Sequence, residues 1–290
     1  MSDKTLDTLV KDMNDVLIKA VNGEGIQFTD AELETFGHDI MDAIRHWAAP
    51  REQSTGLRMS NVGHPNRKLW YDIKHDLKEQ TFKPHDAMKF LFGHIIEELV
   101  LLIVRKSGHK VENEQKEIEV LGVTGHMDCT IDGKVVDVKS ASPFAFTKFV
   151  TGKVAQEDPF GYMAQLAGYE HAMGSEGGGF LVMNKVTGEL TLFQPDFVDL
   201  PNIENRIVEV REQIDADNPP PFCYPLVEMD NGNKKLSRDC LFCSHKVDCY
   251  SEMGVRVFRY SSGDEFLVGE IQKLPRVDEV TDEYHTPKSV

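Results

Sequence analysis

The chain has no long apolar run. Its longest, Leu99 to Val104, is far too short to span a bilayer. Cysteine is scarce, with five in 290 residues, which excludes a disulfide scaffold. The opening stretch "MSDKTLDTLVKDMND" has neither the basic start nor the apolar segment of a secretory signal, so a cytoplasmic setting with no membrane partner is expected. Basic residues are the minority sign, 32 against 48 acidic, and a formal net charge of -16 argues against a general nucleic-acid coat protein. No internal repeat is present. What is there is an ordinary globular composition, 40% hydrophobic and 28% charged, in a chain long enough to bury a substantial core.

The scarce residues are unevenly placed. Four cysteines gather between residues 223 and 249, which suggests a metal site rather than a disulfide framework. Arg51, Arg58, Arg67, Lys68, Lys74, Lys78, Lys83 and Lys89 share one stretch, a local strip that can hold phosphate within an acidic protein. The plainer reading of that strip is a solvated helix surface.

Apolar spacing predicts a helix over residues 3–22. A second opens at Thr29, with Glu32 completing a capping box, so residues 1–50 read as a helical hairpin or flap. "HDAMKFLFGHIIEELVLLIVRKSG" predicts the longest helix, with Phe90, Leu91, Ile95, Leu99, Leu102 and Ile103 facing the core. A strand follows, then a hairpin, helices near 143–153 and 158–173, two strands joined at Thr187-Gly188, and a helix near 201–215. This order indicates an α/β domain with a mixed sheet. We expect a core over 51–220, a cysteine-rich segment over 221–252, and two strands with a polar, disordered or partner-bound tail over 253–290.

The chemistry concentrates in "GHMDCTIDGKVVDVKS", residues 125–140. Asp132-Gly133 between alternating runs predicts a two-residue hairpin turn, and counting outward places Asp128 opposite Asp137. Like charges facing across strands repel. Alternation assigns Met127, Cys129, Val136 and Val138 to a core face, and His126, Asp128, Thr130, Val135, Asp137 and Lys139 to the other. A divalent cation such as Mg²⁺ or Mn²⁺ would resolve the repulsion, because it takes one or two carboxylates and leaves its other positions to water and phosphate. Asp132, belonging to the turn, is expected to tolerate asparagine.

Asp128 followed by Asp137-Val138-Lys139 resembles the D…(D/E)xK signature of the PD-(D/E)xK nuclease superfamily. The chain is similar in particular to the RecB-like branch that includes exonucleases of CRISPR adaptation and phage exonucleases. That branch carries an acid on the preceding helix, matched in "GHIIEE" by Glu97 with Glu98 in reserve, and a Q-x-x-x-Y motif matched by Gln165 and Tyr169. The motifs lie in order over residues 93–169. Met127 stands where the superfamily name has proline.

The resemblance implies a restriction-endonuclease-like core, a mixed central sheet flanked by helices, with an N-terminal helical extension. It implies a metal-dependent DNA exonuclease of phage or mobile-element recombination, replication or degradation, acting in the host cytoplasm if phage-encoded. Glu97, Asp128, Asp137 and the carbonyl of Val138 would hold Mg²⁺ or Mn²⁺. Lys139 would assist, Gln165 and Tyr169 would contact water or phosphate, and Arg58, Arg67, Lys68 and Lys74 would track single- or double-stranded DNA ends. Cys240-x2-Cys243-x5-Cys249 repeats the spacing of iron-sulfur relatives. Those relatives take a first cysteine upstream, where this chain has His64 in "GHPNRKLWY", so Cys223 is the preferred fourth ligand and His64 the reserve. Either Zn²⁺ or a [4Fe-4S] cluster suits four thiolates. Two other readings remain open. One is an endonuclease of the same superfamily dimerised by its N-terminal helices, and the other is a non-catalytic DNA- or protein-binding module. A homo-oligomer or recombination partner would engage the N-terminal helices or the C-terminal tail.

Overall fold

The computed structural model describes residues 4–50, 56–74 and 84–285. Arg51, Lys78 and Lys83 of the basic strip lie outside the described residues. The helices are α1 (Leu6–Val21), α2 (Asp30–Ala48), α3 (Asn66–Lys74), α4 (Pro84–Lys106), α5 (Pro143–Val150), α6 (Tyr162–Met173), α7 (Ile203–Asp215) and α8 (Asp282–His285). The strands are β1 (Val111–Glu112), β2 (Lys116–Val120), β3 (Val123–Met127), β4 (Cys129–Ile131), β5 (Lys134–Ala141), β6 (Gly179–Asn184), β7 (Leu190–Phe193), β8 (Val227–Glu228), β9 (Lys234–Lys235), β10 (Val255–Tyr260) and β11 (Gly263–Val268). The chain forms two units interleaved in sequence, one from residues 1–63 and 81–209, the other from 64–80 and 210–290.

The first unit is a mixed sheet in the order β1-β4-β5-β6-β7, flanked by helices. β5 and β6 are parallel and the other pairs antiparallel. A parallel pair needs a long crossover, which α5 and α6 supply. On one face Val135, Phe180 and Val182 pack with Phe146, Phe149, Leu166 and Tyr169. On the other, Val136, Val138 and Leu181 pack with Leu9 and Met13 of α1 and Val100, Leu101 and Val104 of α4. Each fully buried side chain of this kind contributes roughly 1.5–3 kcal/mol. The hairpin therefore has no solvated polar face: Val135, Thr130 and Asp137, expected on that face, are all buried. The parallel partner β6 and its crossover cover the face that alternation set opposite the core side.

Three other expectations shift for local reasons. Phe90 and Leu99 of α4 are exposed, while Val100, Leu101 and Val104 face inward. An almost continuously apolar helix end carries little periodicity from which to read a face. The helix expected from residue 158 starts at Tyr162, because Gly161 takes φ 75° and breaks the helical path. α1, expected to form a flap with α2, belongs to the core through Leu6, Leu9 and Met13. The capping box of Thr29 and Glu32 on α2 is present as expected.

The second unit holds α3 and a sheet in the order β10-β11-β9-β8 over a core of Leu236, Val247, Tyr250, Val257 and Phe266. The polar tail is docked on it through residue 284. Arg256 binds Glu279, and Arg259 binds Asp264 and Glu283. Two surfaces expected for partners, α1 and this part of the tail, are thus engaged within the chain. Among the described residues no helix is long and apolar enough to cross a membrane.

Candidate active site

The Asp132-Gly133 turn has φ 49° and 80°, the two left-handed residues of a type I′ hairpin. Ile131 faces Lys134, Thr130 faces Val135 and Cys129 faces Val136, in the register counted from sequence. The ladder ends there. β3 pairs instead with β2 in a separate ribbon, so the chain changes sheets at Asp128. Asp128 and Asp137 are consequently not ladder partners. Past the last β4–β5 pair, the Val138 N–H donates to Asp128 Oδ2 at 2.7 Å, a carboxylate replacing a strand carbonyl.

Asp137 is 1% exposed, and neither of its carboxylate oxygens accepts a hydrogen bond. Lys139 Nζ stands 2.5 Å from Oδ2, an ion pair by distance that lacks hydrogen-bond geometry. Burial alone would lower the Lys139 pKa, yet Asp137 and Asp128 hold it above its ordinary value. Asp128 is pushed upward by burial and then by Asp137.

Glu97 joins this group through its position on α4. It lies four and seven residues before Leu101 and Val104, on the stripe that faces the sheet. Its Oε1 accepts from Gln115 Nε2 at 2.9 Å. Burial raises its pKa, followed by Asp128, Glu98 and Asp137. Glu98 is raised to about 7, chiefly by burial and then by Asp39 and Glu114, and its charge also acts on Asp128.

Glu97 and Asp128 are both raised in part by the neighbouring Asp137 charge, and the group has one lysine, so it lacks positive charge. Their hard oxygens fit Mg²⁺ or Mn²⁺, and Asp137 Oδ1 has no partner while Oδ2 faces Lys139. Among the described residues no three histidine, cysteine, aspartate or glutamate side chains form a metal-ligand group. A site here would draw on one or two carboxylates, with waters and phosphate oxygens completing it.

Gln165 and Tyr169 share a face of α6, but their polar atoms are committed to each other and to the backbone. Gln165 Nε2 donates to the Tyr169 hydroxyl at 2.8 Å, and that hydroxyl donates to the His126 carbonyl at 2.8 Å. The pair ties α6 to β3, the strand that delivers Asp128. Sequence reading missed two neighbours. Gln115 donates its backbone N–H to the Asp128 carbonyl as well as its side chain to Glu97. Tyr162 lies under Lys139, with Nζ 5.3 Å from its ring centroid. An aromatic beside a proline-glycine turn in "DPFGYM" was the available signal for Tyr162; nothing local marked Gln115.

The basic residues do not form one free strip. Arg67 donates to Cys249 Sγ at 3.0 Å and to the carbonyls of Pro220 and Cys249, and lies over Phe222. Lys68 pairs with Asp72, and Lys74 donates to the Ala216 carbonyl at 2.6 Å. Both serve the second unit's own packing. Arg58 is exposed on the first unit.

Cys223, Cys240, Cys243 and Cys249 are free thiols that feel one another's charge without converging on a ligand geometry. Arg67 occupies Cys249, and the Ser237 hydroxyl reaches Cys240 Sγ at 3.4 Å. Burial pushes Cys243 up to about 11. The thiols as arranged do not fit a four-cysteine metal site, nor does the reserve ligand His64, whose Nδ1 is 3.3 Å from Lys68 Nζ, complete a ligand group. Cys129, set aside because of its core position, is buried.

No protein-family profile matches the chain, and no curated protein matches it by sequence. Among solved structures it is similar to one described as SSO0001, at 18% identity over 75% of this chain and 97% of that one, with a TM-score of 0.42. It is similar to an alkaline exonuclease from Laribacter hongkongensis at 16% identity, over 59% of this chain and 92% of that one, with a TM-score of 0.38. A phage-related exonuclease from Haemophilus somnus 129PT gives 13% identity, 55% and 93% coverage, and a TM-score of 0.38. Likenesses of this degree carry no functional weight.

Proposed function

We propose that the protein is a Mg²⁺- or Mn²⁺-dependent deoxyribonuclease of PD-(D/E)xK type that hydrolyses phosphodiester bonds from DNA ends. The observation that carries this reading is the Asp137 carboxylate, buried beside Asp128 and Glu97 with the Lys139 ammonium as its counter-charge. A buried carboxylate set among others costs free energy that a bound cation would offset. Asp128, Asp137 and the Val138 carbonyl would hold the ion, with Glu97 beside them. When bound, a divalent ion polarises a phosphoryl oxygen and lowers the pKa of water to make a nucleophile. Lys139, kept protonated by its two aspartates, steadies negative charge gathering on the phosphate. Gln165 and Tyr169 brace β3 and so fix Asp128.

Action from ends rather than within the chain, and a phage or mobile-element setting, follow from the motif resemblance. End-labelled linear DNA and a closed circle, each with Mg²⁺, test the reading. Release of mononucleotides from the linear form alone is expected. Cutting of the circle would establish the endonuclease, and no metal-dependent cleavage of either would remove the enzyme.

A further inference from the structure

The turn before α6 displays an aromatic ring next to the catalytic lysine. Phe160 is 48% exposed, and its inner face stacks on Tyr162, centroids 5.6 Å apart and 29° between planes. Tyr162 is wedged against Phe149 and Phe180 of the core, each 5.9 Å away, and carries Lys139 Nζ over its ring. A continuous series thus runs from Asp137 through Lys139 and Tyr162 to a ring open to solvent.

The turn is rigid for stated reasons. Asp158 Oδ2 accepts the Met163 N–H at 2.8 Å, and the N–H groups of Tyr162, Gly161 and Phe160 also lower its pKa against burial. Gly161 packs directly on Gly63, where an added Cβ would fall 2.4 Å from backbone carbon, so the contact admits no side chain.

We propose that Phe160 is a stacking platform for an unpaired base adjacent to the scissile phosphate. This inference rests on the nuclease reading and names its substrate as a strand end whose terminal bases are not paired. Every base presents a flat π-face to an aromatic side chain once it is unpaired, whereas within a duplex those faces are already covered by neighbouring bases. The protein would therefore read strandedness through Phe160 and bind phosphate through its charged site. Tyr162 transmits the position of the platform to Lys139, keeping a stacked nucleotide and the reacting phosphate in register.

The test is an abasic scan. Single-stranded oligonucleotides with one abasic site at successive positions from the end are compared on the wild-type protein, Phe160→Leu and Phe160→Trp with Mg²⁺. In the wild type one position is expected to raise KM about tenfold, the size of one lost base–aromatic stack. Phe160→Leu, which keeps apolar bulk without a π-face, should raise KM about tenfold on the intact strand, leave kcat within threefold, and show no further loss at that same position. Phe160→Trp should restore wild-type KM, and a blunt duplex should hardly distinguish the three proteins. Equal KM for wild type and Phe160→Leu, or losses that multiply at every position, would overturn the platform while leaving the nuclease intact. Should the wild type cleave nothing, the nuclease reading fails. The same scan read by fluorescence anisotropy then decides for Phe160 alone: position-specific loss supports it and uniform binding overturns it.

Discussion

The two ends of one hairpin treat their aspartates in opposite ways. At the turn, Asp132 Oδ1 accepts the Lys110 N–H at 2.9 Å, and Oδ2 meets His109 Nδ1 at 2.6 Å. The other ring nitrogen of His109, whose side chain is fully buried, meets Asp12 Oδ2 at 3.1 Å. At the open end, Asp137 has an ion pair and no hydrogen bond, with Asp128 and Glu97 adding repulsion. The same residue type on the same two strands is satisfied where it holds the fold and unsatisfied where chemistry is proposed. Asp132 is thus more than a turn former: the expected tolerance to asparagine gives way to a role in closing β4–β5 onto α1.

The two ends should differ most at Asp137. Asp137→Asn should lower metal-dependent cleavage by about 10³-fold or more. Without divalent metal it should leave Tm within a few degrees of the wild type, because relief of repulsion from Asp128 and Glu97 is offset by loss of the Lys139 ion pair. Activity assays paired with thermal melts check both. At the opposite end stability is affected and activity is not: Asp132→Ala should cost about 2–3 kcal/mol by stranding His109 and the Lys110 N–H, with cleavage per folded molecule unchanged. Asp132→Asn, which keeps an acceptor and tolerates φ 49°, should cost about 1 kcal/mol. Denaturant titration separates these values.

Between the two ends, Tyr169→Phe frees the His126 carbonyl and should cost about 1 kcal/mol while lowering kcat less than tenfold. A loss as large as that of Asp137→Asn would instead make its hydroxyl part of the reaction. The smallest effect concerns acid. Asp12 is held well below its ordinary pKa, first by Lys4, then by Thr8 and His109. Its stabilisation is present above about pH 4 and is lost as pH falls toward the depressed folded value. Melts from pH 7 to pH 3 should therefore slope less steeply for Asp12→Asn than for the wild type.

Much of this was legible in sequence because it is local. The Asp-Gly turn, three ladder pairs, the Thr29 capping box and the helix supporting Glu97 each depend on residues a few positions apart. The preference for Glu97 over Glu98 came from the motif resemblance, and the structure places Glu97 on the stripe with Leu101 and Val104. What escaped is non-local. The burial of Asp137 depends on β6, some forty residues on, and His109 takes its partners from residues 12 and 132. The change of sheet at Asp128 was hidden because alternation continues through it. Arg67 and Lys74 looked like part of a strip since nothing nearby revealed Cys249, Pro220 or Ala216 as their partners, whereas Asp72, the partner of Lys68, lies only four residues on.

The central claim is that the open end of the hairpin is built for a divalent cation. Calorimetric titration of Mn²⁺ into the wild-type protein and Asp137→Asn, without DNA, tests it most directly. Binding by the wild type, accompanied by a rise in Tm and lost in Asp137→Asn, is the predicted result. Absent binding by the wild type, or equal binding by both proteins, would contradict it.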